Sequence, residues 1–221
     1  MRRWLLPLSL ALAGIVVIAG VSLFLLWDND WRWQPHTITK DQDEIARALD
    51  QSGWVSPHLT GPKVYVIVYR ACPDCLAFEA AEFPKLQKAD VDTRVIVVAR
   101  PDLNGQALST QAERATVAEL WLNRSWKLFQ QWSLTQPDAW TAPGVAPADG
   151  DAARTAVIQA GQRMVSGLAP LLAPSGVQFA YPTLVWWTRD GRMRACACAE
   201  PPRWKYVEQE LAPPAPPAAA P

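Results

Sequence analysis

Val64-Tyr65-Val66-Ile67-Val68-Tyr69-Arg70-Ala71-Cys72-Pro73-Asp74-Cys75 decides the fold of this chain. A β-branched and aromatic run reads as a strand buried on both faces. It ends in two thiols separated by two residues, and a helix-forming stretch, Leu76 to Phe83, follows at once. Cys72 then sits at the strand's carboxyl end, against the positive N-terminus of the next helix, where a thiolate is stabilised and a thiol pKa falls. Cys75 lies within one helical turn of it and can close a disulfide or resolve a mixed one. Chemistry of this kind is thiol–disulfide exchange.

Downstream, Thr93 to Ala99 is a second apolar strand closed by Arg100-Pro101. Two strands joined by a helix imply a parallel βαβ unit with a right-handed crossover. Pro84 is expected to kink or end the connecting helix. Residues of about 104–173 carry little β signal and read as a helical insertion. Its helices cover Ala112 to Trp132 and Ala152 to Leu172, with a Pro/Ala/Asp/Gly-rich loop from Gln136 to Gly150 between them. A third apolar run, from Val177, is broken at Tyr181-Pro182-Thr183. Asp190-Gly191 then turns Thr183–Trp187 back onto Arg192–Cys198 as an antiparallel hairpin. Pro201-Pro202 opens a last helix, Trp204 to Leu211, and Ala212 to Pro221 is only Ala and Pro, an extended and disordered tail.

Upstream, Trp4 to Trp27 holds no charged side chain. As a helix it spans roughly 36 Å, enough for a hydrocarbon core of about 30 Å with some tilt. Arg2 and Arg3 precede it and Asp28 and Asp30 follow, which leaves the N-terminus cytoplasmic and the remainder outside. Trp4 falls at one interface, and Trp27, Trp31 and Trp33 at the other. An uncleaved anchor fits better than a signal peptide, whose apolar region is about 7–15 residues long. Residues 28–60 read as a juxtamembrane spacer with one short helix after Asp41, and residues 61–211 as the folded domain.

The 221 residues carry 21 Lys+Arg and 21 Asp+Glu, with pI near 6.7, so no basic surplus points to nucleic acid. Twelve Trp fit membrane-interface anchoring and large packing residues. Four Cys suit one redox pair and one further pair rather than a disulfide scaffold. A zinc site would want a second CxxC or a His pair, whereas the sequence offers Cys196-x-Cys198 and two separate histidines, His36 and His58.

Strand–CxxC–helix, an apolar strand broken at Pro182 and a Gly hairpin together resemble the thioredoxin fold. Within it the chain is most similar to the catalytic domain of bacterial periplasmic disulfide isomerases of the Dsb type, over roughly residues 60–211. Val66, Arg100-Pro101, the insertion around Glu113 to Trp132, Tyr181 to Val185, Gly191 and Pro201-Pro202 carry the likeness. It implies an α/β, thioredoxin-like fold: a mixed sheet built β-α-β, a helical insertion, then β-β-α, here preceded by one transmembrane helix. Cys72 would be the exposed nucleophile and Cys75 the buried resolving thiol. Pro182, in the cis form, would face the sulfurs, while Tyr181, Thr183, Pro73 and Asp74 meet the substrate. No cofactor is implied beyond the redox-active disulfide Cys72–Cys75.

The resemblance further implies a single-pass protein of the bacterial inner membrane with its C-terminal domain in the periplasm. Its partners would be exported proteins bearing thiols or disulfides and a membrane or periplasmic redox partner. Three features depart from the pattern. Many thioredoxins hold a buried acid where Val66 stands. Residues 28–60 are too few for the N-terminal dimerisation domain of the family's isomerases. Cys196 and Cys198 are extra: on a regular strand such a pair cannot bridge unless the strand bulges or ends there. That pair reads either as auxiliary redox thiols or as a static feature of an edge strand. Glu79 and Glu82 read as an exposed helix face, with Glu79 near enough to tune the dithiol, and Arg70 as a partial offset to the Asp74 carboxylate. Two other functions stay open: a metal-handling protein gathering Cu(I) or Zn²⁺ on Cys72, Cys75, Cys196 and Cys198, or a non-catalytic interaction module.

Overall fold

The structure, a computed structural model, describes residues 5–211, with side chains from Ile15 onward. Met1–Trp4 and the expected Ala/Pro tail, Ala212–Pro221, lie outside the described residues. So do Arg2, Arg3 and the side chains of the first half of the apolar run. The chain divides after Gln34. In the first unit, α1 (Leu5–Asn29, 25 residues) is apolar up to Asp28. Past its end, Arg32 pairs with Asp28 at 2.7 Å and lies 4.2 Å from the Trp33 ring. Among the described residues no helix is long and apolar enough to cross a membrane.

In the second unit β1 (His36–Thr37), β2 (Lys63–Val68), β3 (Asp92–Val97), β4 (Thr183–Trp187) and β5 (Met193–Ala197) form one mixed sheet in the order β1-β5-β4-β2-β3. β2 and β3 pair in parallel, and the other pairs are antiparallel. This is the thioredoxin-like arrangement. Val64 to Val68 are each at most 2% exposed, as a strand covered on both faces requires. Burying each such Val or Ile contributes about 1.5–3 kcal/mol. Alternate side chains feed two cores. Val64, Val66 and Val68 join Leu184 and Trp186 under α3 (Pro73–Lys88) and α7 (Trp204–Leu211). Tyr65, Ile67 and Val185 meet Ile45 and Leu49 of α2 (Gln42–Asp50) and Leu168 and Leu172 of α6 (Ala152–Leu172).

Three local readings change. The stretch read as a spacer holds the short helix expected after Asp41, now α2, but also supplies β1, and Val55 makes an isolated antiparallel bridge to Val95 of β3. These contacts are one or two residues long and carry no period to read. Second, Ala112 to Trp132 is not one helix. α4 (Gln111–Asn123) ends where Arg124 turns left-handed, at φ 50°, and α5 (Trp126–Leu134) restarts with the Ser125 hydroxyl accepting Leu128 N–H at 3.2 Å. The Arg124 guanidinium donates to the Ser52 carbonyl at 2.8 Å, which fixes the break. Third, α3 runs through Pro84 to Lys88. Pro84 has no N–H to offer the Ala80 carbonyl, and both residues lie on the exposed side of the helix, where that loss is tolerated.

Candidate active site: a dithiol at the head of α3

β2 delivers the chain to α3 through a tight turn in which Cys72 N–H donates to Tyr69 O at 3.2 Å. Cys72 is the N-cap of α3, with extended backbone (φ −83°, ψ 112°), and Pro73 occupies the first helical turn, where its missing N–H costs nothing. The Cys72 sulfur accepts Cys75 N–H at 3.0 Å, as a Ser or Asp oxygen would at this position. A helix N-terminus and a donated N–H both favour the thiolate over the thiol. Cys72 and Cys75 are joined as a disulfide, with Cα atoms 5.2 Å apart. Asp74 and Pro73 are exposed beside it, and Cys75 is fully buried. Cys72 is buried as well, at 2% exposure, in place of the open sulfur expected. Its neighbours in the core include Val68, Phe78 and Leu184, with Tyr69 and Tyr181 packed over them.

The Tyr181–Pro182 peptide is cis. Register places this turn beside the dithiol: Ile67 pairs with Thr183, so Pro182 and Tyr181 continue opposite Val68 and Tyr69. The Tyr69 and Tyr181 rings meet edge-on at 4.9 Å, and Phe179 packs on Tyr181 at 5.2 Å. Burial, with Tyr69 adding to it against the opposing Arg100 cation, pushes the Tyr181 phenol up to about 12, so it stays neutral. Tyr181 precedes the first residue of β4, outside the ladder. Thr183 is fully buried, and its hydroxyl donates to the Ala180 carbonyl, so its side chain shapes the loop rather than the surface.

Cys196 and Cys198 are also joined, with Cα atoms 5.2 Å apart. The condition for such a bridge is met: β5 ends at Ala197, and Cys198 N–H turns to the Pro182 carbonyl at 2.8 Å. Both are at most 1% exposed. Among the described residues, no group of three or more His, Cys, Asp or Glu side chains is placed to hold a metal ion.

Glu79 and Glu82 of α3 are not the exposed face expected of them. Glu82 is 3% exposed and contacts Lys85 at 2.8 Å, and Lys85 also reaches Glu208 of α7 at 2.8 Å. Burial, then the hydrogen bond to Glu208, lifts the Glu82 carboxyl to about 7. Glu79 is half-buried in a groove of about 370 Å³ between α3 and α5, lined by Leu76, Phe83, Trp126 and Phe129. Burial lifts it to about 7, against the pull of Arg70 and of a 3.4 Å hydrogen bond from Ser133. Arg70 is turned away from Asp74: 7% exposed, it donates to the carbonyls of Trp132, at 2.7 Å, and Thr135. It therefore latches the insertion to the active-site turn. Spacing alone could have found Glu79, which follows Cys75 by one helical turn, but its partners Arg70 and Ser133 are remote in sequence.

Fold and site together define a thioredoxin-like chain with an N-capping CxxC dithiol. No family model and no curated protein matches it. Among solved structures it is similar to oxidised BdbD from Bacillus subtilis, at 16% identity and TM-score 0.40, over 74% of this chain and 94% of that one. It is similar to Proteus mirabilis ScsC in a compact conformation, at 14% identity and TM-score 0.46, over 95% and 97%. Salmonella enterica Typhimurium BcfH gives 14% identity and TM-score 0.43, over 93% and 95%.

Proposed function

We propose that this chain is a membrane-anchored, periplasm-facing thiol–disulfide oxidoreductase of the isomerase or reductase type, acting on exported proteins through Cys72 and Cys75. The carrying observation is the sulfur of Cys72 at the N-cap of α3, holding Cys75 N–H at 3.0 Å. In this reading Cys72 thiolate attacks a substrate disulfide and forms a mixed disulfide. Cys75 then attacks Cys72, closes the Cys72–Cys75 bond and releases the substrate thiol. In the opposite direction a substrate thiolate opens the Cys72–Cys75 bond. The exposed rim of Ala71, Pro73 and Asp74 is where an incoming chain meets the dithiol. The anchor rests on the sequence alone: the uncharged run Trp4–Trp27 with Arg2 and Arg3 ahead of it.

Cys75→Ala is expected to trap a mixed disulfide with a scrambled, disulfide-containing substrate protein, and Cys72→Ala to trap none. A Cys72→Ala protein that still reduces insulin or refolds a scrambled substrate overturns the reading. Orientation is tested by fusing a reporter enzyme, active only outside the cytoplasm, after Pro221; an inactive fusion overturns the periplasmic placement. A reduction potential near about −120 mV would move the protein to the oxidases, and one near about −270 mV to the reductases.

A further inference from the structure

We propose that Cys196–Cys198 is a second redox pair that exchanges directly with Cys72–Cys75, so that one chain holds two disulfide equivalents at one active face. The inference rests on the exchange chemistry proposed above for Cys72.

Strand parity puts Cys196 on the side of the sheet that α3, with Cys72 and Cys75 at its head, covers. Cys196 pairs with Leu184, and Leu184 with Val66, so Cys196 shares the face of Val66 and Val68, under α3. Cys198 follows at i+2 and is tied by its N–H to the Pro182 carbonyl, next to the point where β2 releases the chain toward Cys72. A second tie comes from above. Trp204 Nε1 donates to the Cys198 carbonyl at 2.8 Å, and the Trp204 ring packs edge-on against Phe78 at 5.5 Å. Phe78 lies one helical turn beyond Cys75 on α3. Cys72, Cys75, Cys196 and Cys198 accordingly belong to one buried cluster.

Burial decides how such a pair can react. At 1% and 0% exposure Cys196 and Cys198 are as buried as Cys72, at 2%, but Cys72 sits between the exposed residues Ala71 and Pro73. A solution thiol therefore meets Cys72 first, and the Cys72 thiolate shares its buried cluster with both other sulfurs. A purely structural role is poorly served by this pair, because the stabilisation from a cross-link grows with the loop it closes. A single intervening residue, Ala197, makes that loop about as short as one can be.

The exchange balances without an outside oxidant. Cys72 thiolate attacks the Cys198 sulfur, forming Cys72–Cys198 and breaking Cys196–Cys198, and Cys196 leaves as a thiolate that takes up a proton. Cys75, having given up its proton, attacks the Cys72 sulfur, forms Cys72–Cys75 and releases Cys198 thiolate. Cys72 and Cys75 lose two electrons, and Cys196 and Cys198 gain them.

The test uses the full chain in detergent, oxidised and then quenched with an alkylating reagent for non-reducing peptide mapping. In Cys75→Ala, a Cys72–Cys198 linked peptide is expected to accumulate, with Cys196 alkylated. Cys72 alkylated beside an intact Cys196–Cys198 bridge overturns the proposal. As a second readout, dithiothreitol is expected to reduce Cys196–Cys198 on the order of tenfold more slowly in Cys72→Ser and Cys72→Ala than in wild type; equal rates overturn it. Glutathione disulfide separates the two readings. If Cys75→Ala captures glutathione on Cys72 but never links Cys198, only the internal exchange fails. If Cys72 captures neither, the exchange function itself fails.

Discussion

Glu79 lies one helical turn from Cys75 in a groove that raises its carboxyl, and replacing it with Gln isolates that change. Burial raises its carboxyl from 4.5 to about 7 in the folded chain. The folded state therefore keeps this proton to a higher pH than the unfolded state does, and stability falls as pH rises from about 4.5 to about 7. At about 1.4 kcal/mol per pH unit, the full loss is about 3 kcal/mol, lowered toward about 2 kcal/mol by water at the mouth of the groove. Glu79→Gln keeps the shape and removes the titration. Glu82 rises to about 7 too, but it titrates in both proteins and cancels in their difference. Urea unfolding followed by tryptophan fluorescence, at pH values from about 4 to about 8, gives the two stability curves. The variant is expected to gain about 2–3 kcal/mol on wild type across that range. Curves that stay parallel within about 0.5 kcal/mol would refute a buried, proton-holding Glu79.

Arg70→Met removes two donors from the Trp132 and Thr135 carbonyls and the cation facing Glu79, and is expected to cost about 2–4 kcal/mol by urea midpoint. It should also move the Glu79 transition to still higher pH, readable in the same titration. Gly53→Ala would drive a Cβ into the Trp121 side chain and backbone, so it is expected to cost at least about 2 kcal/mol, seen as a lowered Tm. Thr110→Ala opens the capping box with Glu113 at the start of α4 and is expected to cost about 1 kcal/mol; no change in the urea midpoint would count against the cap.

The parts of the fold that announce themselves in the chain are those whose burial is local and periodic. Val64–Val68 and Val95–Val97 read as strands because every residue is apolar, and Asp190-Gly191 because a tight hairpin needs its geometry; Gly191 indeed sits at φ 80°. Trp204–Leu211 was legible from Pro201-Pro202 ahead of it and Val207 and Leu211 within it. What escaped depends on partners distant in the chain. The two residues of β1 acquire meaning only against Arg194 and Ala195. The break at Arg124 follows from a carbonyl at Ser52, while the local signal, Ser125 as a cap, was drowned by the apolar residues on either side. Glu79 looked like a helix surface because α5, which roofs it, cannot be seen from α3. Cys72 likewise read as open, because the aromatic cover of Tyr69 and Tyr181 is assembled from the turn after β2 and the loop before β4, far apart in sequence.

The short pairings made by residues 36–55 matter for what the sheet refuses. β5 and β3 would otherwise be its two bare margins, each offering rows of unpaired N–H and C=O groups to any extended chain. β1 covers the first at Arg194 and Ala195, and Val55 covers the second at Val95, through bonds of 2.9 and 2.8 Å. Blocked margins keep extended chains from growing onto the sheet as fibrils or swapped oligomers. Under the proposed exchange function they leave the Tyr181 turn, opposite Val68 and Tyr69 in register, as the docking edge for a client backbone.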